Sequence, residues 1–344
     1  MKIGILTHPQ GTNYGGILQC YALCTYLKKL GHEPIVIQRV ADKSFFLWSI
    51  VRNILKTLHF PRYYHPDEVD RMTNIRPFIQ KYLVRTEPID SQGKMKKVCR
   101  KYGLEAVIVG SDQVWRYDYA INFGYNYFLD FVPKDVVKLS YAASLGLNVW
   151  KYNTTQTEQI KRLLSTFRDV SVRENDAVQL CTENLKISPK WLMDPTLLLT
   201  EEDYNTIIRP QRIERKYLFV YWLGDKSLVS KDIDYYRQKG YKIIDINLRD
   251  NKELYSIEHW LSYIKYADYI ITDSFHGCVF SIIFKKQFIV RMNKSGGTGR
   301  LISLFNMLRI PLSEDGFISP DYESLDLEKW REKSFNYLSS NLRC

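Results

Sequence analysis

A chain of 344 residues with 45% hydrophobic and 25% charged side chains is too apolar for disorder and too long for one ordinary core. Its formal charge of +11 favours anionic partners, yet the densest basic run, MKKVCRK at 95–101, reads as a solvated helix face rather than a nucleic-acid patch. Six scattered cysteines, at 20, 24, 99, 181, 278 and 344, form no CxxC pair, so they read as reduced, buried thiols rather than metal ligands or disulfides.

The first stretch, KIGILTH (2–8), is a short apolar strand rather than a signal peptide. GTNYGG then turns the chain into an amphipathic helix, ILQCYALCTYLKKL (17–30), which Gly31 ends before the strand EPIVIQRV (33–40). Residues 44–64 interrupt this order. SFFLWSIVRNILKTLHFPRYY combines Phe45, Trp48 and several aliphatics with Arg52, Lys56 and Arg62. Such a basic, aromatic-rich stretch suits either an interfacial membrane helix or a packing helix. Alternation resumes with LEAVIVGS (104–111), VKLSYAAS (137–144), the helix TEQIKRLLSTF (157–167), DVSVRE (169–174) and KISPKWLM (186–193).

Pro195 breaks the pattern, and a second series follows. Its strands are RKYLFVYWL (215–223), YKIIDINL (241–248), DYIITDS (268–274) and QFIVRM (287–292). Its helices are SIEHWLSYIKYA (256–267), CVFSIIFKK (278–286), GRLISLFNMLRI (299–310) and a last one near 321–340 with Trp330, Phe335 and Leu338 as a docking stripe. Short buried strands alternating with helices imply parallel sheets. The expected architecture is therefore α/β, with two Rossmann-like domains, 1–195 and 196–344, facing a central cleft. No run of about 18 apolar residues is present, so no membrane span is expected.

Candidate chemistry sits at strand ends, where α/β proteins bind ligands. Asn13, Tyr14, Gly15 and Gly16 open the first helix, and glycines there let a ligand approach free backbone N–H groups. The spacing is that of neither a dinucleotide fingerprint nor a P-loop. Asp112, Gln113 and Trp115 follow the strand LEAVIVG. A carboxylate there can handle a sugar hydroxyl and an indole can stack on a ring, whereas a capping Asp and a core Trp are the plainer readings. Arg173, in SVRE, suits a carboxylate or phosphate, or else a salt bridge with Glu174 or Asp176.

His276 carries the sharpest signal. It follows Ser274-Phe275 at the carboxyl end of DYIITDS and precedes Gly277 at a helix start, where an anion would sit and where only an imidazole can donate a proton near neutral pH. Arg291 and Arg300 could add positive charge. No histidine spacing supports a zinc site or a Ser/His/Asp triad.

Taken together, NYGGILQ-YAL (13–23), VGSDQVW (109–115), SYAASLG (140–146), SVRE (171–174), MDPTLLL (193–199), ADYIITDSFHG (267–277) and the Arg300 region resemble the polysaccharide pyruvyl transferase family, in family order. The resemblance implies a GT-B-like fold and transfer of pyruvyl from phosphoenolpyruvate to a hexose as a cyclic ketal, with phosphate released. It implies phosphoenolpyruvate as co-substrate and no cofactor or metal. It makes residues 1–195 the acceptor side and 196–344 the donor side.

The family's arginine maps to Arg173 and its histidine to His276. Many members carry Arg-Leu before that histidine, where this chain has Ser274-Phe275. Arg291 or Arg300 is then expected to replace the missing cation. The implied site is His276 as general acid, Arg173 as donor clamp and Asp112 at the acceptor hydroxyl. Ser274, Phe275, Gly277, Arg291 and Arg300 would line the donor, and Asn13, Tyr14, Gly15, Gly16, Gln113 and Trp115 the acceptor. An acceptor on a polyprenyl carrier would place the enzyme in the cytoplasm, at the inner face of the plasma membrane. Two other readings stand beside this one: a GT-B glycosyltransferase using a nucleotide sugar, and a non-catalytic sugar-binding scaffold.

Overall fold

The computed structural model describes residues 1–40, 70–210, 216–248, 253–291, 298–314 and 316–342. The amphipathic stretch 44–64 lies outside them. The first half builds β1 (Lys2–Leu6), α1 (Tyr14–Lys29), β2 (Glu33–Val36), β3 (Ala106–Gly110), β4 (Val137–Tyr141), β5 (Ser171–Val172), α2 (Asn175–Leu185) and β6 (Lys190–Trp191). The second builds β7 (Tyr217–Tyr221), β8 (Lys242–Ile246), α3 (Ile257–Tyr266), β9 (Tyr269–Thr272), α4 (Phe275–Ile283), β10 (Phe288–Val290), α5 (Thr298–Leu308), β11 (Phe317–Ile318) and α6 (Leu327–Asn341).

Each half is a parallel sheet whose strand order reverses once. In the first, the order is β2-β1-β3-β4, and isolated bridges Leu139–Asp169 and Ala143–Val172 carry it on to the β5–β6 pair. In the second it is β11-β10-β9-β7-β8, with only β11 antiparallel. Strands covered on both faces read as unbroken apolar runs, which is why AVIVG in β3 and YLFVY in β7 are buried throughout. The two switch points, β1/β3 and β7/β9, are where such sheets open a crevice beyond their carboxyl ends.

Helix α1 starts because the Asn13 side chain accepts from the Gly16 N–H, and it stops where Gly31 takes φ +82°. It also joins the halves. Tyr14 stacks on Trp260 at 5.2 Å and donates its hydroxyl to the Tyr255 carbonyl at 2.9 Å, so one apolar core runs from the first sheet into the second.

Sequence order assigned α6 to the second half, but it packs on both: Trp330 donates to the Met307 carbonyl of α5, and the rest of the helix reaches the first sheet. The Tyr337 hydroxyl donates to the Ser140 carbonyl at 2.8 Å, Arg331 donates to the carbonyls of Leu197 and Leu199, and Trp330 meets Trp191 at 4.8 Å. Of the anticipated stripe, Leu338 is buried and Phe335 is 43% exposed. The strands expected over 169–174 and 186–193 shrink to two residues each, and the basic run 95–101 divides between two short helices, Gln92–Met95 and Val98–Tyr102. Among the described residues no helix is long and apolar enough to cross a membrane. Cys20, Cys24, Cys99, Cys181 and Cys278 are buried free thiols.

Candidate active site

The site begins with the turn after β3. Asp112 holds φ +64°, a left-handed conformation that Asp tolerates better than most residues, and its carbonyl accepts from the Ser144 N–H at 2.9 Å. A buried amide fixes the turn in place. Gln19 accepts from the Ser111 N–H at 3.1 Å and donates to the Thr7 hydroxyl at 3.0 Å and the Gly16 carbonyl at 2.9 Å. One side chain thus ties together β1, α1 and the β3 turn. The Asp112 carboxylate accepts from the Gln113 N–H at 2.9 Å.

Beside it opens a cleft of about 240 Å³ lined by His8, Gln10, Asn13, Asp112, Gln113 and Tyr119, with Gly16 at its edge. Four anticipated acceptor residues (Asn13, Gly16, Asp112 and Gln113) therefore share one surface. Two others do not. Tyr14 is spent on the junction between the halves. Trp115 is 1% exposed, stacks on Phe128 at 5.7 Å and donates its indole N–H to the Tyr127 carbonyl at 2.9 Å, so it is core and cannot stack on a sugar. Its aromatic place at the cleft is taken by Tyr119, over which the Arg116 guanidinium lies at 4.9 Å.

Behind Asp112 lies a buried charge network. Arg173 donates to Asp194 at 2.7 Å, approaches Glu174 at 3.3 Å and Asp112 at 3.9 Å, and places its guanidinium 4.5 Å over the Phe275 ring. At 3% exposure it is built into the protein. Its Nη2 has no hydrogen-bond partner among the described residues.

Asp194 is the centre of this network. One of its oxygens meets Arg173 and stands 3.6 Å from His276 Nε2; the other accepts from the Thr196 N–H at 3.0 Å and hydroxyl at 2.6 Å. Burial pushes its carboxyl up, but His276, Arg173 and Thr196 outweigh that and hold it well below the usual aspartate range. Glu174 goes the other way: burial raises its carboxyl, and Arg173 and the Ser144 hydroxyl recover only part of the shift.

His276 stands in the first turn of α4, beyond the β9 end. Ser274 caps that helix by accepting from the Gly277 N–H, and Gly277 has no Cβ because one would fall 2.3 Å from the Thr272 hydroxyl oxygen. Asp273 accepts from the Leu223 and Gly224 N–H groups, both at 2.8 Å, pinning β9 to the β7 end. The imidazole is 6% exposed and rests on Gly15 of α1. Gly15 therefore serves the histidine, not a ligand.

The two expected replacement cations separate cleanly. Arg291 forms a two-point ion pair with Asp232, at 2.9 and 3.0 Å. Arg300, opening α5, is set in the field of Arg173, Glu174, Asp112 and Arg116; burial and the Arg173 charge depress it, and its Nε has no partner among the described residues. Helix α5 reaches the site because Ser303 accepts from the Asn175 N–H at 3.0 Å at the start of α2.

The model for polysaccharide pyruvyl transferases matches residues 13–295. The chain belongs to the polysaccharide pyruvyl transferase family. No curated protein matches the sequence. Among solved structures, S. aureus MnaA in complex with UDP superposes with a TM-score of 0.50 at 13% identity, covering 99% of this chain and 96% of that one. A UDP-N-acetylglucosamine 2-epimerase from Listeria monocytogenes gives 0.50 at 10% identity, over 98% and 90%. These likenesses establish the fold, two Rossmann-like halves of GT-B type.

Sequence reasoning missed His8 and Asp194. Both had a visible signal: His8 follows the apolar run of β1, and Asp194 stands in the MDPTLLL segment that carries part of the family resemblance. No group of three or more His, Cys, Asp or Glu side chains able to hold a metal occurs among the described residues.

Proposed function

We propose that this family member transfers pyruvyl from phosphoenolpyruvate to a vicinal or 1,3-related hydroxyl pair of a hexose in a polysaccharide precursor, forming a ketal and releasing phosphate. The observation that carries the reading is the shared Asp194 oxygen, which faces a guanidinium and an imidazole at once. Protonating the donor's methylene carbon turns C2 into an electrophile that a hydroxyl attacks. That chemistry needs a proton donor and fixed positive charge for carboxylate and phosphate.

His276 supplies the proton, with ionised Asp194 as the negative partner of its imidazolium. Arg300 Nε and Arg173 Nη2, which have no hydrogen-bond partner among the described residues, meet the anionic donor. The polar cleft around Asp112 takes the sugar. An acceptor on a lipid carrier, and contact of residues 44–64 with an anionic membrane surface in the cytoplasm, belong to the same proposal.

The test is phosphate release. Purified protein given methyl hexosides should release phosphate only with phosphoenolpyruvate present, and phosphoenolpyruvate alone should raise its melting temperature. Stabilisation by a nucleotide sugar and none by phosphoenolpyruvate would instead indicate glycosyl transfer on the same fold.

A further inference from the structure

We propose that His8 is the base that takes the proton from the attacking sugar hydroxyl, with Asp112 as its counter-charge. This rests on the pyruvyl-transfer reading above.

The first support is position. His8 follows β1 and Asp112 follows β3, the two strands flanking the switch point of the first sheet, and both line the cleft. The second is how the ring is held. Tyr119 and Tyr127 each present an edge contact to the imidazole at a centroid distance of 5.4 Å, and the Tyr127 hydroxyl lies 3.4 Å from Nδ1. The contact is compatible with the tautomer that carries its hydrogen on Nδ1, which leaves a lone pair on Nε2. That nitrogen has no partner among the described residues.

The third is that Asp112 is poorly suited to be the base itself. Burial would raise its carboxyl, but the charges of His8, Arg173, His276 and Arg300 outweigh it and keep the group below its usual value. A carboxylate so stabilised is a weak proton acceptor and a good counter-ion. Asp112 shares the cleft with His8 and is placed to be the counter-charge of that ring.

The reaction also needs two separate groups. As His276 gives a proton to the donor's methylene carbon, the hydroxyl oxygen bonds to C2 and its own proton passes to His8 Nε2. The C2–O–phosphate bond then breaks, its electron pair staying on phosphate oxygen, and the second hydroxyl closes the ketal. Two hydroxyl protons are lost; one is balanced by the new methyl group and one leaves on phosphate. His276 gives its proton to the methylene carbon, so a second group at the acceptor side is suited to take the hydroxyl proton.

The experiment compares wild type, His8→Gln and His8→Ala, using phosphoenolpyruvate and methyl hexosides. The expected result is a fall of ~10²–10⁴-fold in phosphate release for both variants, with the melting shift induced by phosphoenolpyruvate retained. Added imidazole should restore part of the rate of His8→Ala, which a packing role could not explain. A His8→Gln protein with near-normal turnover, or one that no longer responds to phosphoenolpyruvate, overturns the assignment and leaves the donor chemistry standing. Wild-type protein insensitive to phosphoenolpyruvate overturns the transfer reading itself, and this role with it.

Discussion

Gly15 lies flat against the imidazole of His276, so close that a Cβ on Gly15 would stand 2.0 Å from Nδ1. The glycine belongs to α1 of the first half and the histidine to α4 of the second, so the ring is placed by packing between the halves. On helix propensity alone, Gly15→Ala would stabilise by up to ~1 kcal/mol. Here the methyl group must displace the ring. The expected outcome is a loss of turnover by ~10²-fold or more, with overpacking of about 1–3 kcal/mol in urea denaturation. Unchanged turnover in Gly15→Ala would mean the ring can sit elsewhere and still work.

Arg173 and His276 should separate in the opposite sense to the one a surface clamp suggests. Arg173→Ala leaves Asp194 and Glu174 as buried carboxylates without their cation, and breaking such a pair costs about 3–5 kcal/mol. The variant should unfold at markedly lower urea concentration before any effect on donor affinity is read. His276→Gln keeps a polar side chain of similar reach facing Asp194. It should fold at close to the wild-type midpoint and lose ~10²–10⁴-fold in turnover. A stable, merely slow Arg173→Ala protein would show that the network tolerates an unpaired carboxylate.

The fold was legible because its strands are short, buried and punctuated: Gly31 marks the end of α1, whereas α4 starts at Phe275, three residues before the expected helix 278–286, because Ser274 caps it. The return of α6 to the first sheet was not legible, since nothing local in Trp330 or Leu338 says which half will cover them. The site was half legible. Spacing brought out Asp112, Arg173 and His276 because each follows closely on a strand. It could not say that Arg173 turns inward onto Asp194, a residue 21 positions later, or that Trp115 turns away from the cleft. Those outcomes depend on which groups are left to satisfy a buried charge or indole N–H, which only the tertiary structure decides.

Acid should weaken the protein through Asp194. Its folded carboxyl lies well below the unfolded value of 3.8, so the folded state binds fewer protons than the unfolded chain. The stability it contributes is present above about 3.8 and is lost as pH falls toward the lower folded value. Asp112 acts in the same direction. Glu174, raised by burial, acts the other way: its contribution is present below 4.5 and is lost as pH rises through its higher folded value. Melting temperature should therefore drop below pH 4 in the wild type, and less steeply in Asp194→Asn measured against its own neutral-pH value. Equal slopes for the two proteins would remove Asp194 from the account.

The donor arginine is the remaining assignment, and the structure gives its two candidates different costs. Arg291 already has both Asp232 oxygens, so recruiting it to a ligand means giving up an ion pair. Arg300 is a cation depressed by burial and by the Arg173 charge, with an unpartnered Nε among the described residues; an incoming phosphate or carboxylate would relieve that. A hydrogen bond to a charged group is worth about 1.5–3 kcal/mol, which corresponds to about 10- to 150-fold in Kd. Arg300→Ala should weaken phosphoenolpyruvate binding by that amount in calorimetry. Because it also takes positive charge away from Glu174 and Asp112, its melting temperature without donor should fall, but by less than that of Arg173→Ala, which breaks direct ion pairs. Arg291→Ala should bind the donor as wild type does and lose only the modest stability of a partly exposed ion pair. If the two variants exchange these behaviours, Arg291 takes the donor and the salt bridge to Asp232 opens on binding.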